Sequence, residues 1–275
     1  MSARLLDGRA LAASILAEAR RLTRRGRAPR LAIVAAADGA AGSYLKATLK
    51  ACAAAGVSAS VHRLSPGPRA KTLGLLAELC EGADAVLVET PYPLGLSAAD
   101  VAAAVPAGKD AEGISEASYG RLFLAKTWSE ASRLTAPCTA LALARLAVYA
   151  RVPLAGRRAV VVGRSATVGR PAAHLLSTLD MTVTLAHSRT KGLAALCREA
   201  DVLVLAAGMP GLVKPSWVKR GAVVLDAGVT VVGGRLKGDA AAGVERRAGA
   251  LTPVPGGVGP VTTACAVLNA ARLAR

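Results

Sequence analysis

Two segments of this chain combine residue types and spacings that can do chemistry. The first is Leu251-Thr-Pro-Val-Pro-Gly-Gly-Val-Gly-Pro-Val-Thr-Thr263, whose first ten residues hold three prolines and three glycines. Proline fixes φ and removes backbone donors, and glycine admits close approach, so this run is a rigid loop and neither a helix nor a central strand. It reads either as a ligand-binding loop or as a structural turn. The second is Ala159-Val-Val-Val-Gly-Arg-Ser-Ala-Thr-Val-Gly-Arg-Pro171, a buried strand, a glycine turn and a helix start. In that order the backbone can approach a pyrophosphate while the free N–H groups and dipole of the helix stabilise its charge. The spacing is not G-x-G-x-x-G, and no Gly-Lys-Ser/Thr follows, which excludes a Walker loop.

Gly163, Arg164, Ser165, Val168 and Gly169 are therefore the candidate phosphate cradle. The next strand ends in His187-Ser188-Arg189-Thr190, where an NAD-specific fold places an acidic residue on the ribose hydroxyls. Polar and basic groups there, with Arg164, suit a 2′-phosphate, so NADP(H) is the expected cofactor; the alternative is that both arginines are merely solvated. Gly208 and Asp226, each just beyond a later strand, complete the cofactor set. Asp226 either lines the nicotinamide pocket or caps a turn.

The elements that must carry these residues alternate. Strands are expected at 30–37, 57–64 and 85–89, with helices at 5–22, 43–55 (after a turn at Asp38-Gly39) and 72–80. A helix over 139–150 leads to a second set with strands at 159–162, 182–186, 202–206 and 222–225, its first helix starting near Thr167. A last helix spans 261–275. This is the pattern of parallel α/β sheets, and 275 residues suffice for two modest domains.

Bulk properties narrow the function. The net charge is +17, and eight arginines fall within the first 30 residues. A nucleic-acid patch and a solvated helix face both fit, but one Phe, two Trp and four Tyr offer few platforms for stacking bases. Nucleic acid is thus disfavoured, and the positive field suits an anionic small molecule. Hydrophobic residues make up 53% of the chain, much of it alanine, without an apolar run of 18. No membrane span is expected. The N-terminus lacks the apolar stretch of a signal peptide, so the expected location is the cytoplasm. Five scattered cysteines and three scattered histidines read as reduced core thiols without a disulfide frame or metal centre.

Taken in order, the motifs resemble the methylenetetrahydrofolate dehydrogenase/cyclohydrolase (FolD) family. The similar blocks are Leu6-Asp-Gly-Arg9, Lys50-Ala-Cys52 with Gly56, Asp110-Ala-Glu-Gly113, Gly120-Arg-Leu122, Pro137-Cys-Thr139, Gly163-Arg-Ser165, Val168-Gly-Arg-Pro171, His187-Ser188 and Thr252 to Pro260. The resemblance implies two α/β domains around a cleft. Residues 1–139, completed by the helix 261–275, would form the catalytic, substrate-binding domain, and 140–260 a Rossmann-type parallel-sheet domain for NADP. It implies oxidation of 5,10-methylenetetrahydrofolate to the methenyl form, hydrolysis of that product, and a homodimer.

The substrate side departs from the family pattern. The family's Tyr-x-x-x-Lys appears as Tyr44 followed by Thr48. Lys46 does not replace the lysine, because two helical positions turn a side chain by about 200 degrees. The glutamine that partners that lysine is Glu89, and the second aspartate of D-V-D-G is Glu112; Ser118 and Ala140 replace an asparagine and a proline. Tyr44, Thr48, Glu89 and Glu112 are the candidate catalytic residues, and Tyr92, Pro93, Gly257, Pro260 and Thr262 the candidate substrate contacts. Glu89 reads as a general acid or a counter-charge for an iminium, with a surface carboxylate as the plain alternative. The implied activity is an NADP-dependent oxidoreductase acting on a C–N carbon with the cyclohydrolase step weakened or lost. A reductase of a non-folate imine or iminium and an inactive NADP-binding protein are the alternatives.

Overall fold

The computed structural model describes residues 3–24, 26–37, 42–64, 68–90, 92 and 95–275. The expected turn at Asp38-Gly39 and the substrate candidate Pro93 lie outside the described residues. In chain order the elements are β1 (Arg4–Leu5), α1 (Gly8–Thr23), β2 (Arg30–Ala36), α2 (Gly42–Ala55), β3 (Ser58–Leu64), α3 (Arg69–Gly82), β4 (Ala85–Val88), α4 (Ala98–Ala104), α5 (Glu116–Leu124), α6 (Trp128–Ala131) and α7 (Cys138–Tyr149). They continue as β5 (Arg158–Val162), α8 (Gly169–Ser177), β6 (Thr182–Ala186), α9 (Leu193–Glu199), β7 (Val202–Leu205), β8 (Val223–Asp226), β9 (Thr230–Val232), β10 (Arg235–Lys237), β11 (Ala250–Leu251) and α10 (Val258–Leu273).

The chain divides into two compact units. One comprises Ala12–Leu124, Arg133–Cys138 and Thr263–Arg275. Its sheet has the order β3-β2-β4, parallel throughout, with Leu31 to Val34 of β2 paired to Ala85 to Val88 of β4. Both β2 and β4 are apolar along nearly their whole length because neither face meets water. Ala32, Val34, Leu76, Val86, Val88 and Val101 join in one core cluster.

The other unit comprises Met1–Leu11, Ala125–Ser132 and Thr139–Thr262. Its six-stranded sheet runs β1-β11-β8-β7-β5-β6, each pair parallel. The strand order reverses at β5, which has β6 on one side and β7 on the other. That reversal is where open α/β sheets bind ligands, at the carboxyl ends of the strands.

Two expectations change. The first helix starts at Gly8, because Arg4 and Leu5 pair with Ala250 and Leu251 as a strand. The opening residues, assigned from sequence to the N-terminal domain, consequently group with the six-stranded unit. The proline-glycine run expected as a loop is helical from Val258 onward, because α10 begins there and places Pro260 in its first turn, where a missing N–H costs nothing.

Candidate active site

In the three-stranded unit the chemistry gathers at the carboxyl end of β4 and on the face of α2 that carries Tyr44 and Thr48. Glu89 follows β4 directly, and its backbone N–H donates to the Val34 carbonyl at 2.8 Å, which continues the ladder and fixes its place. Only 3% of Glu89 is exposed, which removes the surface-carboxylate reading. Neither carboxylate oxygen has a hydrogen-bond partner among the described residues. Burial lifts its pKa to about 7 against a small opposing pull from Arg63.

Glu112 is half-buried, and burial, Asp110 and Glu89 lift it to about 8. Tyr44 stands nearby: burial raises its phenol well above the usual range, and Glu112, Cys138 and Glu89 add to the rise. Its hydroxyl also bonds with that of Thr263 on α10. Thr48, one turn later, is fully buried, and its hydroxyl donates to the Tyr44 carbonyl at 3.0 Å. A helix satisfies a buried threonine that way, so Thr48 is a filler without acid–base capacity. Tyr92 is half-buried with its hydroxyl inside, and burial and Glu112 raise its pKa.

Three residues hold the Glu112 segment, and the sequence reading singled out none of them for that role. The Asp110 carboxylate accepts from the N–H groups of Gly113 (2.8 Å) and Ser115 (2.6 Å). Asn269 on α10 donates to the carbonyls of Ala111 (3.0 Å) and Ala136 (3.1 Å), and the Cys138 thiol donates to Ala111 O at 3.3 Å. Asp110 could be noticed only as part of the D-x-E-G motif. Asn269 gives no local signal, because its partners lie more than 130 residues away in sequence.

In the six-stranded unit the turn after β5 is built around close approach. Gly163 has φ +128°, and a Cβ there would sit 2.1 Å from the Ala206 carbonyl oxygen; one on Gly169 would sit 2.0 Å from Gly163 O. The Ser165 hydroxyl accepts from the N–H groups of Val168 (3.2 Å) and Gly169 (3.3 Å), holding the turn against the start of α8. Arg164 and Ser165 are exposed. After β6, the His187 N–H donates to the Thr190 hydroxyl (2.8 Å) and the Arg189 N–H to His187 Nδ1 (3.2 Å), which leaves Ser188 and Arg189 exposed at the tip. Gly208, exposed with φ +65°, donates its N–H to Asp239 at 3.0 Å. Asp226 is buried, and its carboxylate accepts from Gly228, Asp239 and Ala240. Of the two expected roles for Asp226, these bonds are those of the turn cap.

A narrow turn that admits only glycine, at the reversal point of a parallel sheet, fits a dinucleotide. The family model of the tetrahydrofolate dehydrogenase/cyclohydrolase catalytic domain matches residues 6–112, and that of its NAD(P)-binding domain matches 137–275. The chain belongs to the tetrahydrofolate dehydrogenase/cyclohydrolase family. Bifunctional protein FolD of Parafrankia sp. (strain EAN1pec) is 45% identical over 278 residues, covering 98% of this chain and 99% of its own. The FolD structure from Trypanosoma brucei, complexed with NADP cofactor and inhibitor, is 32% identical with TM-score 0.89, covering 99% of this chain and 97% of that one. A 5,10-methylenetetrahydrofolate dehydrogenase structure from the silkworm Bombyx mori is 33% identical with TM-score 0.88, covering 99% and 98%. The two-domain α/β architecture is that of the family.

Against that family, the candidate residues fall into two groups. Tyr44, Thr48, Glu89, Tyr92 and Glu112 belong to the three-stranded unit. Gly257, Pro260 and Thr262 belong with the six-stranded unit, in the proline-glycine loop and the first turn of α10. Gly257 is buried with its N–H on Pro253 O (2.8 Å), Thr262 donates to Val258 O (3.2 Å), and the Gly8 N–H ties the chain's opening to Gly256 O (3.0 Å).

Proposed function

We propose that this chain is an NADP-dependent 5,10-methylenetetrahydrofolate dehydrogenase that has lost the cyclohydrolase step. The observation that carries the loss is Thr48. At the position of the family lysine stands a buried hydroxyl spent on its own helix, one turn from Tyr44, the phenol on which Glu112 and Glu89 act. Activating a water molecule for attack needs a proton acceptor in the right place, and a threonine so bonded supplies none. Hydride removal asks less: positioning, exclusion of water and stabilisation of charge. Full-length likeness to FolD proteins favours the folate over a non-folate imine, and the undamaged glycine turn disfavours an inactive binding protein.

NADP(H) is the cofactor, and it supplies the nicotinamide that accepts or returns the hydride. Gly163, Gly169 and the first turn of α8 would hold its pyrophosphate, and Arg164 and Arg189 would hold the 2′-phosphate with charge-assisted hydrogen bonds. Tyr44 and Tyr92 would wall the folate, with Glu89 and Glu112 beneath it. We assign the three-stranded unit to the folate and the six-stranded unit to the nucleotide. Five free, buried cysteines support a reducing, cytoplasmic location. Exposed Val229, Val231 and Leu236 around the β9–β10 hairpin support a homodimer.

The test is NADP reduction with 5,10-methylenetetrahydrofolate, run beside hydrolysis of the methenyl form, in wild type and Thr48→Lys. NADPH formation without hydrolysis in the wild type supports the proposal. Hydrolysis as fast as dehydrogenation would sink the loss, and no folate turnover by a protein that still binds NADPH would sink the substrate.

A further inference from the structure

We propose that Glu89 is the counter-charge for a cationic ligand, its unpartnered carboxylate pairing with the positive carbon–nitrogen system that hydride removal creates, so that the pocket prefers its oxidised ligand over the neutral one. The proposal rests on the dehydrogenase reading above.

The geometry is unusual for a carboxyl group. Glu89 is 3% exposed at the carboxyl end of a parallel strand, with both oxygens buried and unbonded among the described residues. Burying an unpaired carboxylate is costly, so a fold retains one where a proton or a ligand's charge neutralises it. The groups acting on it are few. Arg63 on β3 draws it toward ionisation, the charge of Glu89 itself helps hold the proton on Glu112 in the segment beyond β4, and Tyr44 from α2 stays neutral. Burial raises both carboxyls, and Asp110 and Glu89 raise Glu112 further, so Glu89 is the one of the two that ionises first as pH rises.

The reaction matches that asymmetry. Hydride removal would break the methylene C–H bond with its electron pair, bound NADP serving as the oxidant, and would leave the carbon between the two folate nitrogens as an amidinium cation. No proton moves. Positive charge appears where none stood in the ground state, and a fixed negative group is most useful against a charge that develops.

The experiment is equilibrium binding of 5,10-methenyltetrahydrofolate, the cation, and 5-formyltetrahydrofolate, which lacks that positive charge. The methenyl form is read by stopped-flow fluorescence before its ring opens. The proteins are wild type, Glu89→Gln and Glu89→Asp. The expected result is that Glu89→Gln lowers the cation-over-neutral preference by about tenfold or more while the neutral folate still binds, and that Glu89→Asp retains most of the preference. In wild type, affinity for the cation should rise with pH across roughly 6 to 8 as Glu89 ionises, a slope that Glu89→Gln removes. An unchanged preference in Glu89→Gln overturns the counter-charge and leaves the folate reading standing. Failure of wild type to bind either folate overturns both.

Discussion

The carboxylate of Asp226 accepts the backbone N–H of Asp239 at 3.1 Å, and the carboxylate of Asp239 accepts three further N–H groups, those of Ala207 (2.7 Å), Gly208 (3.0 Å) and Met209 (2.7 Å). Two buried acids in series thus hold the loops that follow β7 and β8. Asp226 fixes where Asp239 stands, and Asp239 shapes the turn containing Gly208. Removing the second acid in Asp239→Ala strands three part-buried donors, so a loss of roughly 2–4 kcal/mol is expected, at about 1–3 kcal/mol for each group left without a partner and with partial relief from solvent. NADPH binding should weaken by about tenfold as the Gly208 turn loosens. Urea unfolding and a cofactor titration measure the two effects. A stable variant with unchanged NADPH affinity would remove Asp239 from cofactor positioning.

Gly163→Ala tests the cradle itself. A methyl group 2.1 Å from the Ala206 carbonyl cannot be accommodated without moving backbone, and the φ of +128° is strained for any side chain. The expected outcome is a fall in NADPH affinity of about a hundredfold or more, with a stability loss of roughly 1–3 kcal/mol. Thermal melts with and without NADPH separate these. A variant whose melting point still rises with NADPH as much as the wild type's would argue against a pyrophosphate at this turn.

The sequence made legible whatever depends on local pattern. The expected strands 182–186 and 202–206 coincide with β6 and β7 to within one residue: β7 is a short, continuous apolar run buried between neighbours, and β6 is an edge strand rich in β-branched residues. The glycine turn was legible because its spacing carries its own chemistry. β1 was not: its two residues, Arg4 and Leu5, are a strand only because Ala250 and Leu251, some 245 positions on, offer an edge. Asp226 stayed open between a ligand and a turn, and Asp239 was missed, for the same reason. Each is defined by the N–H groups it meets in space, and an aspartate after a strand serves a ligand or a turn equally well in one dimension. Glu89 lay between: its type was legible as a departure, but its lack of partners emerges only with the fold.

Arg189, exposed beyond β6, should set the choice between the two nicotinamide dinucleotides. A guanidinium pairs with a phosphate monoester through charge-assisted bonds that a ribose hydroxyl cannot match. Arg189→Ala is therefore expected to cut the NADP-over-NAD preference in kcat/KM by about tenfold, with the larger change in the KM for NADP. If both cofactors are affected alike, Arg189 is only solvated, and Arg164→Ala becomes the variant to measure.

The raised carboxyl groups of Glu89, Glu112 and Asp226 also make folding stability depend on pH, with a definite sign. A carboxyl whose folded pKa lies above its unfolded value binds more protons when folded, so it contributes stability that is present at low pH and lost as pH rises. For Glu89 the loss spans about 4.5 to 7, and for Glu112 about 4.5 to 8. Asp84 and Asp100 act oppositely, since their lowered pKa values contribute stability that disappears only in acid. Between roughly pH 5.5 and 8.5 Glu89 and Glu112 should dominate, and the ligand-free protein should melt at a lower temperature at the alkaline end. Glu89→Gln should flatten the profile. It should remove on the order of 2 kcal/mol of the change, because ~1.4 kcal/mol is lost for each pH unit over which the folded state holds one more proton. A profile that rises with pH in the wild type, or one that Glu89→Gln leaves untouched, would contradict the burial of an unpaired acid.

The last expectation concerns restoring what Thr48 lacks. In Thr48→Lys, one turn after Tyr44, the introduced ammonium would meet Glu89 and Glu112. A carboxylate beside an ammonium stabilises the charged form and raises its pKa, so little of the lysine would be neutral and able to accept a proton. The single variant should therefore gain methenyl hydrolysis only weakly. Adding Glu89→Gln removes that negative charge and lets burial push the lysine pKa down again. The double variant should hydrolyse the methenyl form about tenfold faster than the single one, as expected for a lysine pKa lower by roughly one. Its rate should rise with pH as the lysine loses its proton, whereas the Glu89→Gln single variant should stay near the uncatalysed rate. Equal hydrolysis in the single and double variants would show that Glu89 does not govern the proton on that lysine, and that the altered pocket lost its second reaction through Thr48 alone.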